Sequence, residues 1–258
     1  DEMFGDFMGN RRGAQATSHG SDLRYNMKIG LEDAFRGRET RIRVPTSVAC
    51  TDCGGSGAAK GSSPVTCTTC HGHGKVRAQQ GFFTIERTCA ACRGTGQVIQ
   101  DPCRTCTGQG RVRKEKTLSV NIPAGVEDGT RIRLSGEGEA GAHGAPAGDL
   151  YIFVSVNPHN LFERDGANIY CQVPIPMITA ALGGPVEVPT VEGARAKVTI
   201  PSGAQSGHRL RLRGKGMTTL HGKNRGDMFI EIQVETPVNL SKEQKDKLKE
   251  FDALGKGG

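Results

Sequence analysis

Eight of the nine cysteines fall between Cys50 and Gly110, in four copies of one pattern: CTDCGGSG at 50–57, CTTCHGHG at 67–74, CAACRGTG at 89–96 and CRTCTGQG at 103–110. Each copy is C-x-x-C-x-G-x-G. A two-residue gap lets both sulfurs of a pair turn toward one point, and the glycines behind them let the backbone curl beneath the sulfurs through conformations with positive φ. Each pair supplies half of a tetrahedral site. Four pairs make two four-cysteine sites with no ligand left over, which suits Zn²⁺ and predicts two closed structural centres, two ions per chain. A disulfide framework belongs to short secreted chains, and the sequence opens on Asp1 without a secretory signal. Redox catalysis by one CxxC needs a βαβ setting that the sequence does not show. His71 and His73 read as exposed turn residues, because eight thiolates already fill two sites.

The basic charge has to be read through these thiols. The formal +7 counts them as neutral; eight thiolates and two divalent ions together bring minus four, leaving about +3. Alternating R-x-R runs at 41–43, 131–133 and 209–213 read first as solvated strand faces and second as a nucleic-acid groove. No specific nucleic acid is expected. With 37 glycines, no Trp and 35% hydrophobic residues, cores are modest and turns many. No apolar run approaches the ~18 residues that a membrane span requires, and a cytoplasmic setting is expected. The absence of an initiator Met suggests upstream sequence beyond Asp1.

Residues 1–20 mix glycine, polar residues and the apolar Met3, Phe4, Phe7 and Met8 without periodicity, which reads as a flexible tail, with a short docking motif as the other reading. From Asp22 the pattern alternates. Leu23, Tyr25 and Met27 share one strand face, as do Ile42 and Val44, with one or two helical turns at 31–37 stopped by Gly37.

An internal repeat follows. IPAGVEDGTRIRLSGEG from Ile122 to Gly138 aligns with IPSGAQSGHRLRLRGKG from Ile200 to Gly216 at an offset of 78, and the same offset carries Gly148-Asp149 onto Gly226-Asp227. Val188-Pro189 lies 12 residues before Ile200, whereas Val44-Pro45 lies 78 before Ile122, an excess of 66 that residues 50–110 nearly account for. The cysteine module is therefore an insertion in the first of two β-domains. An insertion must leave and return at neighbouring points, which favours one site from Cys50, Cys53, Cys103 and Cys106 and the other from Cys67, Cys70, Cys89 and Cys92. Sequential pairing is the rival arrangement.

Pro174 and Pro176 cannot both donate to a central ladder, so QVPIPM reads as an edge or distorted strand. Cys171 reads as a buried apolar residue. Ser241 and Gln244 form a capping box opening a helix on which Leu248, Phe251 and Leu254 make a narrow apolar stripe. The stripe fits either docking on its own β-domain or pairing with a second copy.

Four CxxCxGxG motifs inserted in the first of two repeated β-domains, with DLYIFVSVNPHNLFERDG at 149–166 and GDMFIEIQVETPVNLS at 226–241, resemble the type I DnaJ co-chaperones of bacteria over nearly the whole chain. The resemblance implies a non-enzymatic protein that captures unfolded client polypeptides and delivers them to a DnaK-type heat-shock chaperone. The family's ATPase-stimulating J domain carries a His-Pro-Asp tripeptide that does not occur here, and the sequence looks like the client-binding and zinc portion of such a protein. Carried over by motif position, the family's peptide groove falls on Leu23, Ile42, Val44, Leu118 and Ile152, residues that read otherwise as core. Strand addition to a sheet edge is the implied mode of capture. The Cys67/Cys70/Cys89/Cys92 centre is implied to assist client hand-over, and the helix at 241–254 to be a homodimerisation segment.

The expected fold is mainly β. It has a tail (1–20), a first β-domain (21–49 with 111–158), the inserted two-zinc module (50–110), a second similar β-domain (159–238) and a C-terminal dimerisation helix (239–258). Thiol–disulfide exchange by one CxxC pair and zinc-dependent nucleic-acid binding are the alternative functions.

Overall fold

A computed structural model of the chain describes residues 19–255 apart from 81, 82, 221 and 223. The readings placed on Met3, Phe4, Phe7 and Met8 lie outside the described residues.

The chain is mainly β. Strand β1 (Leu23–Ile29), helix α1 (Leu31–Arg36) and strand β2 (Arg38–Ala49) precede the cysteine module, which holds β3 (Val65–Thr66), β4 (Lys75–Gln80), β5 (Phe83–Thr88) and β6 (Gln97–Val98). Strands β7 (Arg111–Ile122), β8 (Arg131–Leu134) and β9 (Leu150–Val156) follow. Then come β10 (Glu163–Asp165), β11 (Asn168–Pro176), α2 (Met177–Leu182), β12 (Gly184–Pro189), β13 (Arg195–Ile200), β14 (Arg209–Leu212), β15 (Met228–Glu235) and helix α3 (Lys242–Gly255). The sheets are β1-β9-β8, β2-β7, β10-β11-β15-β14, β12-β13, and the module's β3-β6 and β4-β5. Two compact units emerge: one runs through Met27 with Arg41–Val120 and Arg131–Phe153, the other holds Lys28–Thr40, Asn121–Thr130 and the chain from Val154 onward.

The repeat has the same backbone geometry in both copies. Arg131 opposes Phe153 in β8-β9, and Arg209 opposes Glu231, 78 residues on, in β14-β15. Gly37 and Gly183 end α1 and α2 at φ 75° and 77°, and a Cβ on either would press to 2.8–2.9 Å on the backbone of Ile122 and Ala124 or of Ile200 and Ser202. Only glycine meets both demands. Strand alternation puts Ile42, Val44 and Thr46 inside and Arg41 and Arg43 outside on β2, and Ile169, Cys171, Val173 and Ile175 inside on β11.

Helix α1 belongs to the second unit through contacts distant in sequence. Leu31, Ala34 and Phe35 are buried; the Thr218 hydroxyl donates to the Phe35 carbonyl at 2.8 Å, and the Arg225 guanidinium lies 4.8 Å from the Phe35 ring centroid. Arg225 in turn pairs with Glu192, whose carboxylate it holds below its usual range.

Strand β11 differs from a simple edge strand. It stands inside its sheet order, yet β10 covers only Asn168–Tyr170 of it. The Ile169 N–H donates to the Asp227 carbonyl on the β15 side, so alternation turns the backbone of Gln172, Pro174 and Pro176 to the uncovered side. Two of those three positions have no N–H to offer, which blunts the exposed edge against strand pairing. In β1 the Leu23 N–H likewise donates to the Asp149 carbonyl, and the outward Arg24, Asn26 and Lys28 keep their donors.

Candidate metal centres

Each C-x-x-C-x-G-x-G copy folds into the same knuckle. The residue after the second cysteine sits at φ 48–60° (Gly54, His71, Arg93, Thr107), and the N–H two residues further on donates back to that cysteine's carbonyl at 3.0–3.2 Å (Ser56, His73, Thr95, Gln109). The last glycine then donates its N–H to the second sulfur: Gly57 to Cys53, Gly74 to Cys70, Gly96 to Cys92 and Gly110 to Cys106, at 3.2–3.3 Å. Such bonds favour the thiolate, the form that binds metal.

Knuckles join in reciprocal pairs. Cys50 N–H donates to Gly110 O and Cys103 N–H to Gly57 O at 2.9 and 2.8 Å, while Cys67 N–H donates to Gly96 O and Cys89 N–H to Gly74 O, both at 2.9 Å. A Cβ on the last glycine of either partner would lie 2.2–2.4 Å from a carbonyl of the other knuckle. The sequence pattern announced these glycines, but their role in locking knuckle to knuckle is visible only in the pairing. The Cys50–Gly110 bond also closes the module's base where β2 ends and β7 begins.

The pairing brings together the sulfurs of Cys50, Cys53, Cys103 and Cys106, and separately those of Cys67, Cys70, Cys89 and Cys92, each set within 4.8 Å. Sulfur separations are 4.0 Å (Cys50–Cys103), 3.7 Å (Cys53–Cys106), 3.9 Å (Cys67–Cys89) and 3.6 Å (Cys70–Cys92). Metal–sulfur bonds of ~2.3 Å in a tetrahedron place sulfurs about 3.8 Å apart. Both clusters therefore fit a four-thiolate metal ion and leave no open position for substrate. His71 and His73 are exposed and stand in neither cluster.

Without a cation, four touching thiols cannot all ionise. Burial pushes Cys70 and Cys106 up to about 11 despite the N–H groups of Gly74 and Gly110. At Cys92 burial also acts upward, but the Gly96 and Gly94 N–H groups and the neighbouring thiols bring the pKa down to about 6. Cys53 falls to about 7 by the same balance, with Gly57 as the main donor. A divalent ion supplies the missing positive charge and releases the remaining protons. Cys171 lies outside both clusters, buried, its thiol pushed up to about 11 by that burial.

The other sequence-derived positions divide by exposure. Ile42, Val44 and Ile152 are buried, Ile152 completely, whereas Leu23 and Leu118 are half-buried on β1 and β7. On α3 the capping box forms reciprocally, Ser241 N–H to Gln244 Oε1 at 2.8 Å and Gln244 N–H to Ser241 Oγ at 3.2 Å. No α3 residue is buried: Leu248 is intermediate and Phe251 and Leu254 are 75% and 77% exposed. Among the described residues no helix is long and apolar enough to cross a membrane.

Residues 23–237 match the family described as the DnaJ C terminal domain. The chain belongs to the DnaJ family. It is 67% identical over its whole length to the Chaperone protein DnaJ of Rhodospirillum centenum, covering 68% of that protein, and 66% identical to that of Paramagnetospirillum magneticum, covering 67%. A third Chaperone protein DnaJ, from Agrobacterium fabrum, is 58% identical over 98% of the chain and is covered to 68%. The paired knuckles thus belong to a DnaJ chain, and the β-sheets that carry them are its C-terminal domain.

Proposed function

We propose that the chain is the client-binding and zinc portion of a DnaJ co-chaperone, which holds unfolded polypeptides and passes them to a DnaK-type chaperone. It acts without catalysis, in the cytoplasm. The observation that carries the assignment of the client edge is the contrast between the two repeats: β1 keeps its outward donors beside half-buried Leu23, while β11 has lost two of its own to Pro174 and Pro176. Strand addition therefore belongs to the first β-domain (21–49 with 111–158), where β1 and β2 each pair on one side only among the described residues. Leu23 and Leu118 meet the client, and buried Ile42, Val44 and Ile152 give the groove its apolar floor.

Zn²⁺ is the ion that suits two closed sets of four thiolates. Cys50, Cys53, Cys103 and Cys106 anchor the base of the module; Cys67, Cys70, Cys89 and Cys92 form the outer centre that assists hand-over. Thiol–disulfide exchange is disfavoured, since seven of the eight cluster cysteines are buried.

The purified chain is expected to suppress aggregation of a denatured protein without nucleotide, followed by light scattering. Leu118→Ser should raise the amount needed by roughly tenfold, the worth of one apolar side chain. Unimpaired holding by this variant would remove Leu118 from the groove.

The exposed stripe on α3 pairs with its counterpart in a second copy. Phe251→Ser with Leu254→Ser should weaken the dimer about a hundredfold in sedimentation equilibrium, and an unchanged mass distribution would rule the stripe out as the interface.

A further inference from the structure

The outer faces of the two repeated sheets differ where Arg24 and Phe153 of the first align with Tyr170 and Glu231 of the second. In the second, Arg209 pairs with Glu231 at 2.9 Å and Arg211 with Asp227, so both arginines are matched by carboxylates. In the first, the residue aligned with Glu231 is Phe153. Arg131, aligned with Arg209, stands opposite Phe153 and lies 5.6 Å from the Tyr151 ring centroid; Arg24, from β1, covers the Phe153 ring at 4.2 Å. Arg133 approaches Asp149 at 3.7 Å, the one carboxylate in an ion pair on this face among the described residues.

We propose that this outer face of β1-β9-β8 binds carboxylate-rich extended peptide segments through Arg24 and Arg131. A guanidinium held over a ring is pre-ordered; Arg24 spends its Nε–H on Asn26 Oδ1 at 3.2 Å, and its two terminal NH2 groups are left to take a carboxylate in two parallel bonds. Arg24 and Arg131 are exposed and flank the central strand from opposite neighbours. Two strand spacings separate them by about 10 Å, the reach of roughly three residues of extended chain. A nucleic acid is the poorer fit: stacking of bases needs open ring faces, and here Phe153 and Tyr151 each have one already under a guanidinium. The face uses the side chains of Arg24 and Arg131 and none of Leu23, Ile42, Val44, Leu118 and Ile152, although the backbone of Arg24 also belongs to the β1 edge that the client would extend.

The test is fluorescence anisotropy with a labelled peptide of alternating Glu and Ser, the same peptide with Gln for Glu, and a labelled oligothymidine of equal charge. The Glu peptide is expected to bind, to weaken as salt rises, and to bind roughly tenfold more weakly to Arg24→Gln/Arg131→Gln. Arg131→Lys, which keeps the charge but loses the stacked fork, should show much of that loss, while Arg209→Gln/Arg211→Gln should bind as the parent does. Equal binding of the Gln peptide, undiminished binding by both Arg24→Gln/Arg131→Gln and Arg131→Lys, or tighter binding of the oligothymidine would overturn the proposal.

Discussion

Gly110→Ala should open the base of the cysteine module, whereas Gly54→Ala should leave it closed. At Gly110 a Cβ would sit 2.2 Å from the Gly55 carbonyl oxygen at φ 73°, and the neighbour is backbone that cannot step aside without breaking the Cys50–Gly110 bond. A cost of about 3–5 kcal/mol is expected. Gly54 also has positive φ, 60°, yet nothing stands within 4 Å of its Cβ. Its equivalents His71, Arg93 and Thr107 carry side chains there, so about 1 kcal/mol is expected. Limited proteolysis of residues 50–110 and thermal melts of the two variants check the difference. Equal behaviour of the two would mean that the knuckle contact does not hold the base.

Removing one ligand should have the other large effect. Cys106→Ser replaces a thiolate that accepts the Gly110 N–H and stands 3.7 Å from Cys53. Metal content is expected to fall from two ions per chain to about one, with the Cys67/Cys70/Cys89/Cys92 centre retaining its ion. Structural zinc binding is coupled to folding at about 10–16 kcal/mol in small modules, so residues near 50–57 and 103–110 should become protease-sensitive while the sheets persist. Loss of both ions together would show that the centres are coupled, and retention of both would remove Cys106 as a ligand.

Much of this was legible in the residues because it repeats. Four identical knuckle patterns and an offset of 78 between Ile122 and Ile200 specify metal chemistry and duplicated strands without reference to long-range packing. The capping box at Ser241 was equally plain, since its partners are three residues apart. What could not be read depends on pairs distant in sequence. The join of α1 to the second unit rests on Arg225 and Thr218 reaching Phe35, about which local pattern says nothing. Pro174 and Pro176 signalled an edge or distorted strand, and over 171–176 β11 is, among the described residues, an edge paired only with β15; what local pattern did not show is the three-residue β10 that covers its start. The guanidinium-on-ring arrangement of Arg24 and Phe153 joins β1 to β9 across more than a hundred residues. The R-x-R run at 131–133 was visible in sequence, but not which of its arginines would lack a carboxylate.

Amide hydrogen exchange with and without a saturating unfolded client tests the account most directly. Protection is expected along β1 and β2, in the first β-domain, with residues 171–176 of β11 unchanged. Protection confined to β11, or to residues 50–110, would contradict it.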